Sequence, residues 1–197
     1  MRKIVDSVNR ALAGHVEQAQ VKVGEIRPTD IAPVCANTAE GITMAAMKWG
    51  FPGFSKPGSK AKPPVIINAR SETIKEKAFF SRHLHQRCLV PASRYFEWAQ
   101  NIKTADGKKP KYEFFLKDSS TPLFWMAAIY RHIVGENLPV FTILTSDASA
   151  SIVSIHNRMP VIWRNREAQL AWIKGIGDIR ELIHEASAKE MVCKPAL

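Results

Sequence analysis

The sequence predicts an α+β fold that is built mostly on antiparallel strands. Runs typical of β-strands outnumber the helical patterns, and the two do not alternate regularly along the chain, which argues against a doubly wound parallel sheet. A chain of 197 residues with 46% hydrophobic residues is long enough for one well-buried core and short for two ordinary domains. We therefore expect a single domain over residues 1–197.

The first half of the chain predicts a helix, a strand and a long loop. The helix is indicated by apolar residues at helical spacing, namely Ile4, Val5, Val8 and Leu12. After broken signals over residues 21–34, a strand is expected at 41–51, and the Pro- and Gly-rich stretch 51–64 predicts a loop. Ser71 is placed to cap a second helix that runs to about residue 86.

The second half predicts a sheet followed by helices. Four runs rich in β-formers cover residues 88–98, 111–117, 123–133 and 138–145. The loop 99–110 is expected to join the first two runs as an exposed hairpin connection. A short helix over residues 148–155 and a strand at 161–163 follow, and helices beginning near Glu167 and Asp178 close the chain.

The chain is strongly basic, with a formal net charge of +10, and the charge is uneven. Residues 48–113 hold fourteen Lys and Arg against five Asp and Glu, a net +9. Aromatic residues lie among these charges, namely Trp49, Phe51, Phe54, Phe79 and Phe80. This combination suits a phosphate backbone whose bases stack on rings, and the alternative is a solvated basic surface with the aromatics in the core.

Composition also constrains the cellular location of the protein and the redox state of its cysteines. No apolar run reaches the roughly 18 residues of a membrane span, and the basic start leads into an amphipathic pattern rather than a signal peptide. We expect a soluble cytoplasmic protein, associated with the nucleoid, with no membrane partner. Cys35, Cys88 and Cys193 have no metal-type spacing and are expected to be reduced, mostly structural thiols. No metal or organic cofactor is indicated.

Three separated clusters carry groups that handle protons and anions, and they suggest one dispersed active site. They are Asn68 to Thr73, Tyr95 to Trp98 and His156 to Pro160. Together with further strings in a fixed order they resemble the SRAP family, the SOS-response-associated peptidase-like proteins. Those strings are Trp49-Gly50, Asn68-Ala69-Arg70-Ser71-Glu72-Thr73, Arg87-Cys88-Leu89-Val90-Pro91-Ala92, Phe96-Glu97-Trp98, Met126-Ala127-Ala128-Ile129 and His156-Asn157-Arg158-Met159-Pro160.

The resemblance implies a single SRAP-like α+β domain around a β-barrel-like sheet with flanking helices. It also implies a DNA-damage function, the covalent capture of abasic sites in single-stranded DNA. In the family, removal of Met from an initial Met-Cys-Gly-Arg exposes a cysteine. Its amine forms an imine with the ring-opened sugar, and its thiol closes a thiazolidine ring.

This chain begins Met1-Arg2-Lys3 and has no cysteine there. An internal cysteine has no free α-amine, so none of the three cysteines can replace it. We expect the native chain to start upstream of Met1, with the missing strand joining ahead of the first helix. The alternative is that the protein has lost its nucleophile.

Three residues are candidates for the chemistry. Asn68 offers an amide that can orient the amine or the opened sugar, although it also suits a turn. Glu97 lies on a predicted strand, on the opposite face from Phe96 and Trp98; a carboxyl group there can have a raised pKa and move protons, or it can be simply exposed. His156 suits an acid or base near neutral pH, and the resemblance implies that it assists ring opening.

Five residues are candidates for DNA contacts. Arg70 offers a fork of donors to a phosphate, with a salt bridge to Glu72 as the alternative. Arg158 is expected to support the site or hold a phosphate, and Lys77 adds a phosphate contact unless it is only solvated. Trp49 and Phe54 are candidates for stacking. Phe54 departs from the Trp frequent in the family, and Trp49 is equally compatible with the core.

Four functional hypotheses follow. The first is a crosslinker of abasic single-stranded DNA, and thiol autopeptidase activity is a variant that uses the same cysteine. Another class is a catalytically inactive, non-covalent single-stranded DNA-binding module. An imine-forming lyase that uses the amine of Met1 is the least favoured. In each case the expected partner is single-stranded DNA, and we expect a monomer.

Overall fold

Strands dominate the architecture. The computed structural model describes residues 21–22, 24–55, 58, 61–117, 123–184 and 191–196; the helix predicted at residues 4–12 lies outside them. The strands in this part of the chain are β1 (Ile31–Thr38), β2 (Gly41–Trp49), β3 (Phe51–Pro52), β4 (Val65–Ile66), β5 (Asn68–Arg70), β6 (Arg87–Ala92), β7 (Tyr95–Trp98), β8 (Lys111–Leu116), β9 (Phe124–Arg131), β10 (Val140–Asp147), β11 (Arg158–Pro160), β12 (Ile162–Trp163) and β13 (Met191–Pro195).

Five of these strands close into a barrel. The hydrogen-bonded order is β10, β2, β1, β6, β9, and β9 pairs again with β10, so the ring has no free edge. The pairing of β10 with β2 is parallel, whereas the others in the ring are antiparallel. Short strands extend the wall, because β5 and β11 pair with β10 and β12 pairs with β9. The predicted α+β class with a barrel-like sheet is confirmed.

Alternation along the strands divides the core into two clusters. Ala32, Val34 and Ala36 of β1 are fully buried in one cluster together with alternate residues of β6, β9 and β10. The neighbours Leu89 of β6 and Leu144 of β10 belong to the second cluster. Since successive side chains of a strand point to opposite faces, the first cluster fills the barrel and the second lies outside it.

Helices cover the outer cluster. They are α1 (Ala78–Ser81), α2 (Arg166–Lys174) and α3 (Ile179–His184). The side chain of Asn165 caps α2 by accepting from the N–H of Glu167, and Gly175 ends the helix in the left-handed conformation. The indole of Trp172 is fully buried and donates to the backbone oxygen of Cys88 at 2.9 Å, which fixes α2 against β6. None of the helices in the described residues is long and apolar enough to cross a membrane.

A second, smaller sheet lies across the inner cluster. Its order is β13, β8, β7, with both pairings antiparallel. Tyr95 of β7, Phe114 of β8 and Met191 of β13 pack with the residues that fill the barrel. The hairpin between β7 and β8 confirms the predicted connection over residues 99–110. The sheet therefore carries the Tyr95 to Trp98 cluster towards the barrel.

Two predicted elements were wrong, and the last strand was not predicted. The helix expected from Ser71 to residue 86 is a 3-10 turn at Ser71–Thr73 followed by the four-residue α1, and Ser71 makes no capping bond. The buried side chains Ile74 and Phe80 are six positions apart, a spacing at which one helix cannot bury both on a single face. Residues 148–155 form hydrogen-bonded turns rather than a helix. The closing helices are present, but β13 follows them.

Candidate active site

A cavity of about 710 Å³ lies between the barrel and the small sheet. Asn68 of β5 and Thr145 of β10 line it from the barrel wall, and Tyr95 and Glu97 line it from β7. Most of its remaining surface comes from apolar side chains such as Met126. A few polar groups in a largely apolar hollow are the usual composition of a ligand site.

The second half of β10 brings two of the three sequence clusters together. On one edge it pairs with β5, so that Ile143 is opposite Asn68 and Thr145 is opposite Arg70. On its other edge β10 pairs with β11, where Asp147 is opposite Arg158. The clusters at 68–73 and 156–160 are thus held on two sides of one strand.

The third cluster completes the site through Glu97. Its carboxylate Oε2 lies 3.9 Å from Nε2 of His156, and both side chains are half-buried. Burial raises the pKa of the Glu97 carboxyl group, and a charged His156 opposes that rise. A carboxyl group with a raised pKa beside an imidazole is an arrangement that can exchange protons. The burial of Glu97 fits the predicted rise in the pKa of its carboxyl group, and its catalytic role stays a prediction.

The ring of His156 is fixed by the backbone of Arg158. Nδ1 lies 3.1 Å from the N–H of Arg158 and 2.9 Å from its carbonyl oxygen. An unprotonated Nδ1 accepts from the N–H, and a protonated Nδ1 donates to the oxygen. Either tautomer is held in the same orientation, so the ring keeps its place beside Glu97.

Arg158 is enclosed by acceptors. Its guanidinium donates to both carboxylate oxygens of Glu72, at 2.8 and 2.9 Å, to Asp147, and to the backbone oxygen of Thr145 at 2.7 Å. Only 16% of the side chain is exposed. Of the two expectations for this residue, support of the site fits these contacts better than a phosphate contact, and both roles stay predictions.

The remaining cations are placed differently. Arg70 is exposed, and no other residue in the described ranges pairs with its side chain; Glu72, its expected alternative partner, binds Arg158 instead. Arg70 therefore retains its donors for a ligand. Lys77 is exposed at the start of α1. Their phosphate contacts stay predictions.

The two aromatic candidates face different surroundings. Trp49 lines the cavity, stacks on Phe141 with centroids 6.4 Å apart, and donates its indole N–H to the oxygen of Ile67 at 3.0 Å. Gly50 follows with φ of 118°, and a Cβ there would lie 2.2 Å from the Val65 side chain, which explains the Trp-Gly pair. Phe54 is 77% exposed. Its ring meets that of Phe79 edge-on, with centroids 5.2 Å apart, and still exposes surface on which a base can stack, whereas Trp49 packs against the interior.

Sequence reasoning gave no role to three residues of the site. Thr145 and Tyr95 line the cavity, and Asp147 accepts a hydrogen bond from Arg158. A signal for Tyr95 was present, since it stands two positions before Glu97 on the same strand and therefore on the same face. Asp147 and Thr145 gave no such signal, because their proximity to Arg158 depends on the pairing of β10 with β11.

The cysteines in the described ranges lie away from the chemistry. None of Cys35, Cys88 and Cys193 lines the cavity. Burial raises the pKa of each thiol above its ordinary value. They are therefore weak nucleophiles at neutral pH, as their expected structural role implies.

Comparison with known proteins decides the family. The sequence model of the SOS response associated peptidase (SRAP) family matches residues 3–196. The chain belongs to the SRAP family. This SRAP chain is also similar to curated relatives: abasic site processing protein YMR114C of Saccharomyces cerevisiae is 32% identical over 151 residues, and YoaM of Bacillus subtilis is 33% identical over 150 residues.

The relatives are longer than the matched region. The match covers 75% of this SRAP chain and 39% of the yeast protein, and 71% of the chain and 63% of YoaM. Abasic site processing protein HMCES of Xenopus tropicalis is 30% identical over 160 residues, which cover 70% of the chain and 47% of that protein. The chain thus spans between about two fifths and two thirds of the length of these relatives.

Solved structures show the same fold. A protein from Bacteroides thetaiotaomicron matches with a TM-score of 0.72 at 22% identity, covering 97% of this SRAP chain and 88% of that chain. A phage-related protein from Bordetella bronchiseptica matches with a TM-score of 0.69 at 20% identity, covering 98% and 90%. At this level of identity the likeness concerns the fold alone.

Proposed function

We propose that this protein acts in the DNA-damage response by binding single-stranded DNA and capturing abasic sites covalently. The observation that carries the proposal is the cavity that both Asn68 and Glu97 line, with the imidazole of His156 3.9 Å from the Glu97 carboxylate. The names of the curated relatives, abasic site processing proteins, support the same substrate. The resemblance to the family implies the nucleophile, an N-terminal cysteine, and the proposal requires one in the native protein.

The chemistry requires several proton transfers. The cysteine amine adds to the sugar aldehyde, the aldehyde oxygen takes up a proton, and water then leaves as the imine forms. The thiol adds across the C=N bond to close the thiazolidine, its proton passing to the nitrogen. Glu97, protonated more readily than an ordinary carboxyl group, supplies the proton to the departing oxygen, and His156 assists opening of the sugar ring. Asn68 orients the amine or the opened sugar.

DNA reaches the site along a cationic surface. Arg70 stands on β5 two residues from Asn68 and has donors available to a phosphate. Phe54 offers an exposed ring for a flanking base. The net charge of +10 favours association with nucleic acid and makes binding sensitive to salt.

A non-covalent single-stranded DNA-binding module is the second candidate. It is favoured by the position of the cysteines, because those in the described ranges are buried or half-buried and stand outside the cavity. Such a module keeps the cationic surface and forms no adduct. The family description as a peptidase supports a third use of the site, thiol autopeptidase cleavage of a short propeptide by the same terminal cysteine.

The test begins with protein isolated from its native cells. Its N-terminal sequence and intact mass are determined, and it is then incubated with a single-stranded oligonucleotide that carries one abasic site. A start at Cys-Gly-Arg and an adduct that survives heating in detergent are expected, with an undamaged oligonucleotide of the same sequence as control. Salt-sensitive binding without an adduct would instead support the non-covalent module and refute capture.

A further inference from the structure

We propose that Gln100 is a positioning residue, which holds His156 beside Glu97 and so sets the geometry in which these two groups act. Gln100 has no other role in the site. The inference rests on the proposed function, because it explains how two groups of that site, from distant parts of the chain, are kept together.

Glu97 and His156 do not hold each other in place. The carboxylate Oε2 and the imidazole Nε2 are 3.9 Å apart, which is beyond the distance of a hydrogen bond. Glu97 lies on β7, whereas His156 lies in the turn between the segment 148–155 and β11. The distance between the two groups is therefore set by the contacts that anchor this turn to the end of β7.

Gln100 anchors the turn on both sides of His156. Its backbone N–H donates to the carbonyl oxygen of Ile155 at 2.9 Å. Its side-chain Nε2 donates to Oδ1 of Asn157 at 2.9 Å, and its Oε1 accepts from the backbone N–H of Asn157 at 3.3 Å. The residues immediately before and after His156 are thus both bonded to Gln100, which lies three residues after Glu97.

Gln100 supplies all the hydrogen bonds of this connection. In the part of the chain that the structure describes, every hydrogen bond between residues 95–100 and residues 148–157 involves Gln100. Ile152 and Ile155 add apolar contacts with the residues that fill the barrel, but such contacts are non-directional. Because hydrogen bonds are directional, those of Gln100 fix where the turn lies relative to β7.

The side chain of Gln100 lies outside the cavity. Gln100 is half-buried, and neither it nor Asn157 lines the cavity. A side-chain amide offers both donors and an acceptor, and Asn157 uses one of each. Gln100 therefore acts on the reaction through His156 rather than by contact with the substrate.

The test uses Gln100→Met in the native protein, a substitution that keeps the length of the side chain and removes its hydrogen bonds to Asn157. Gln169→Met is the matched control. Gln169 is also half-buried and outside the cavity, and its side chain donates to the carbonyl oxygen of Trp163 at 2.9 Å.

We expect Gln100→Met to slow adduct formation on abasic single-stranded DNA by roughly tenfold, because a displacement of about 1 Å at a reacting group can cost up to about 100-fold. Gln169→Met should leave the rate unchanged. Affinity for intact single-stranded DNA should not change in either variant. Each variant should also keep its Tm within about 4 °C of the wild type, since each loses only partly buried hydrogen bonds.

A double substitution separates positioning from a general effect on the fold. In a His156→Ala background there is no ring to displace, so Gln100→Met should change the remaining rate by less than about twofold. The same loss of rate in that background as in the wild type would overturn the inference. A wild-type rate in Gln100→Met would also overturn it.

Crystal structures of the wild type and the two variants test the inference independently of the reaction. The distance between Oε2 of Glu97 and Nε2 of His156 should lengthen in Gln100→Met and stay unchanged in Gln169→Met. An unchanged distance in Gln100→Met would overturn the inference. If the wild type formed no adduct, the proposed function alone would be refuted, and this distance would still decide whether Gln100 positions His156.

Discussion

Replacing Arg158 by Gln tests whether this residue holds the site together. The guanidinium loses a bidentate pair with Glu72, a contact with Asp147 and a charged hydrogen bond to the oxygen of Thr145. Asp147 is 88% exposed, so its contact with Arg158 contributes close to nothing to the free energy of unfolding. Glu72 is 44% exposed, and screening reduces that pair to about 1 kcal/mol.

The hydrogen bond to Thr145 adds about 1.5 kcal/mol, because its donor is charged and only 16% exposed. We therefore expect Arg158→Gln to lower the free energy of unfolding at pH 7 by about 2–3 kcal/mol, which for a chain of this length lowers Tm by roughly 4–10 °C. Urea unfolding followed by tryptophan fluorescence measures the difference, and Asp147→Asn is the matched control, expected to cost under about 0.5 kcal/mol.

The pH dependence of this difference in stability follows from the carboxyl group of Glu72. Its pairing with Arg158 is the main cause that lowers the pKa of the Glu72 carboxyl group below its ordinary value of 4.5. A carboxyl group with a lowered pKa in the folded state contributes stability above its unfolded pKa and loses it as the pH falls through the folded pKa. The gap between wild type and Arg158→Gln should thus narrow below about pH 4.5. A cost below about 0.5 kcal/mol, or an equal cost for Asp147→Asn, would refute the reasoning.

Three further predictions concern function and are tested on the native protein. Glu97→Gln should slow adduct formation by about 10²–10⁴-fold and flatten its pH profile, and an unchanged rate would exclude proton transfer by this residue. Arg70→Gln should reduce the slope of the logarithm of the binding constant for single-stranded DNA against the logarithm of the salt concentration by about 0.7. The slope of Lys77→Gln is measured in the same way for comparison. Phe54→Ala should weaken binding by about 1–3 kcal/mol and leave the free energy of unfolding within about 0.5 kcal/mol, as its exposure implies.

The sheet was largely predictable because its strands carry local signals. The runs at 111–117, 123–133 and 138–145 are rich in β-formers, and each corresponds to a strand within a few residues. The helix at Arg166–Lys174 was found near its predicted start, where Asn165 caps it. The run at 88–98 divides into β6 and β7 at Ser93 and Arg94, a break that composition did not indicate.

What the sequence did not reveal depends on contacts distant along the chain. β1 includes Pro33, which argues locally against a strand, yet it pairs with β2 along its full length. β13 is short and ends at Pro195, and only its pairing with β8 makes it a strand. In the site, the residue types at positions 68, 97 and 156 were recognisable, whereas the enclosure of Arg158 by Glu72 and Asp147 required the register of β10 with β11.

The position of β10 has a consequence for how the protein folds. One edge of β10 pairs with β2 and β5, and the other edge pairs with β9 and β11. Its partners therefore come from residues as far apart in the chain as Lys48 and Pro160. Contacts so distant along the chain are slow to form, and we expect β10 to acquire its full set of hydrogen bonds late in folding. Once formed, its amides can exchange with solvent only when the whole domain opens, so they will be among the last to take up deuterium.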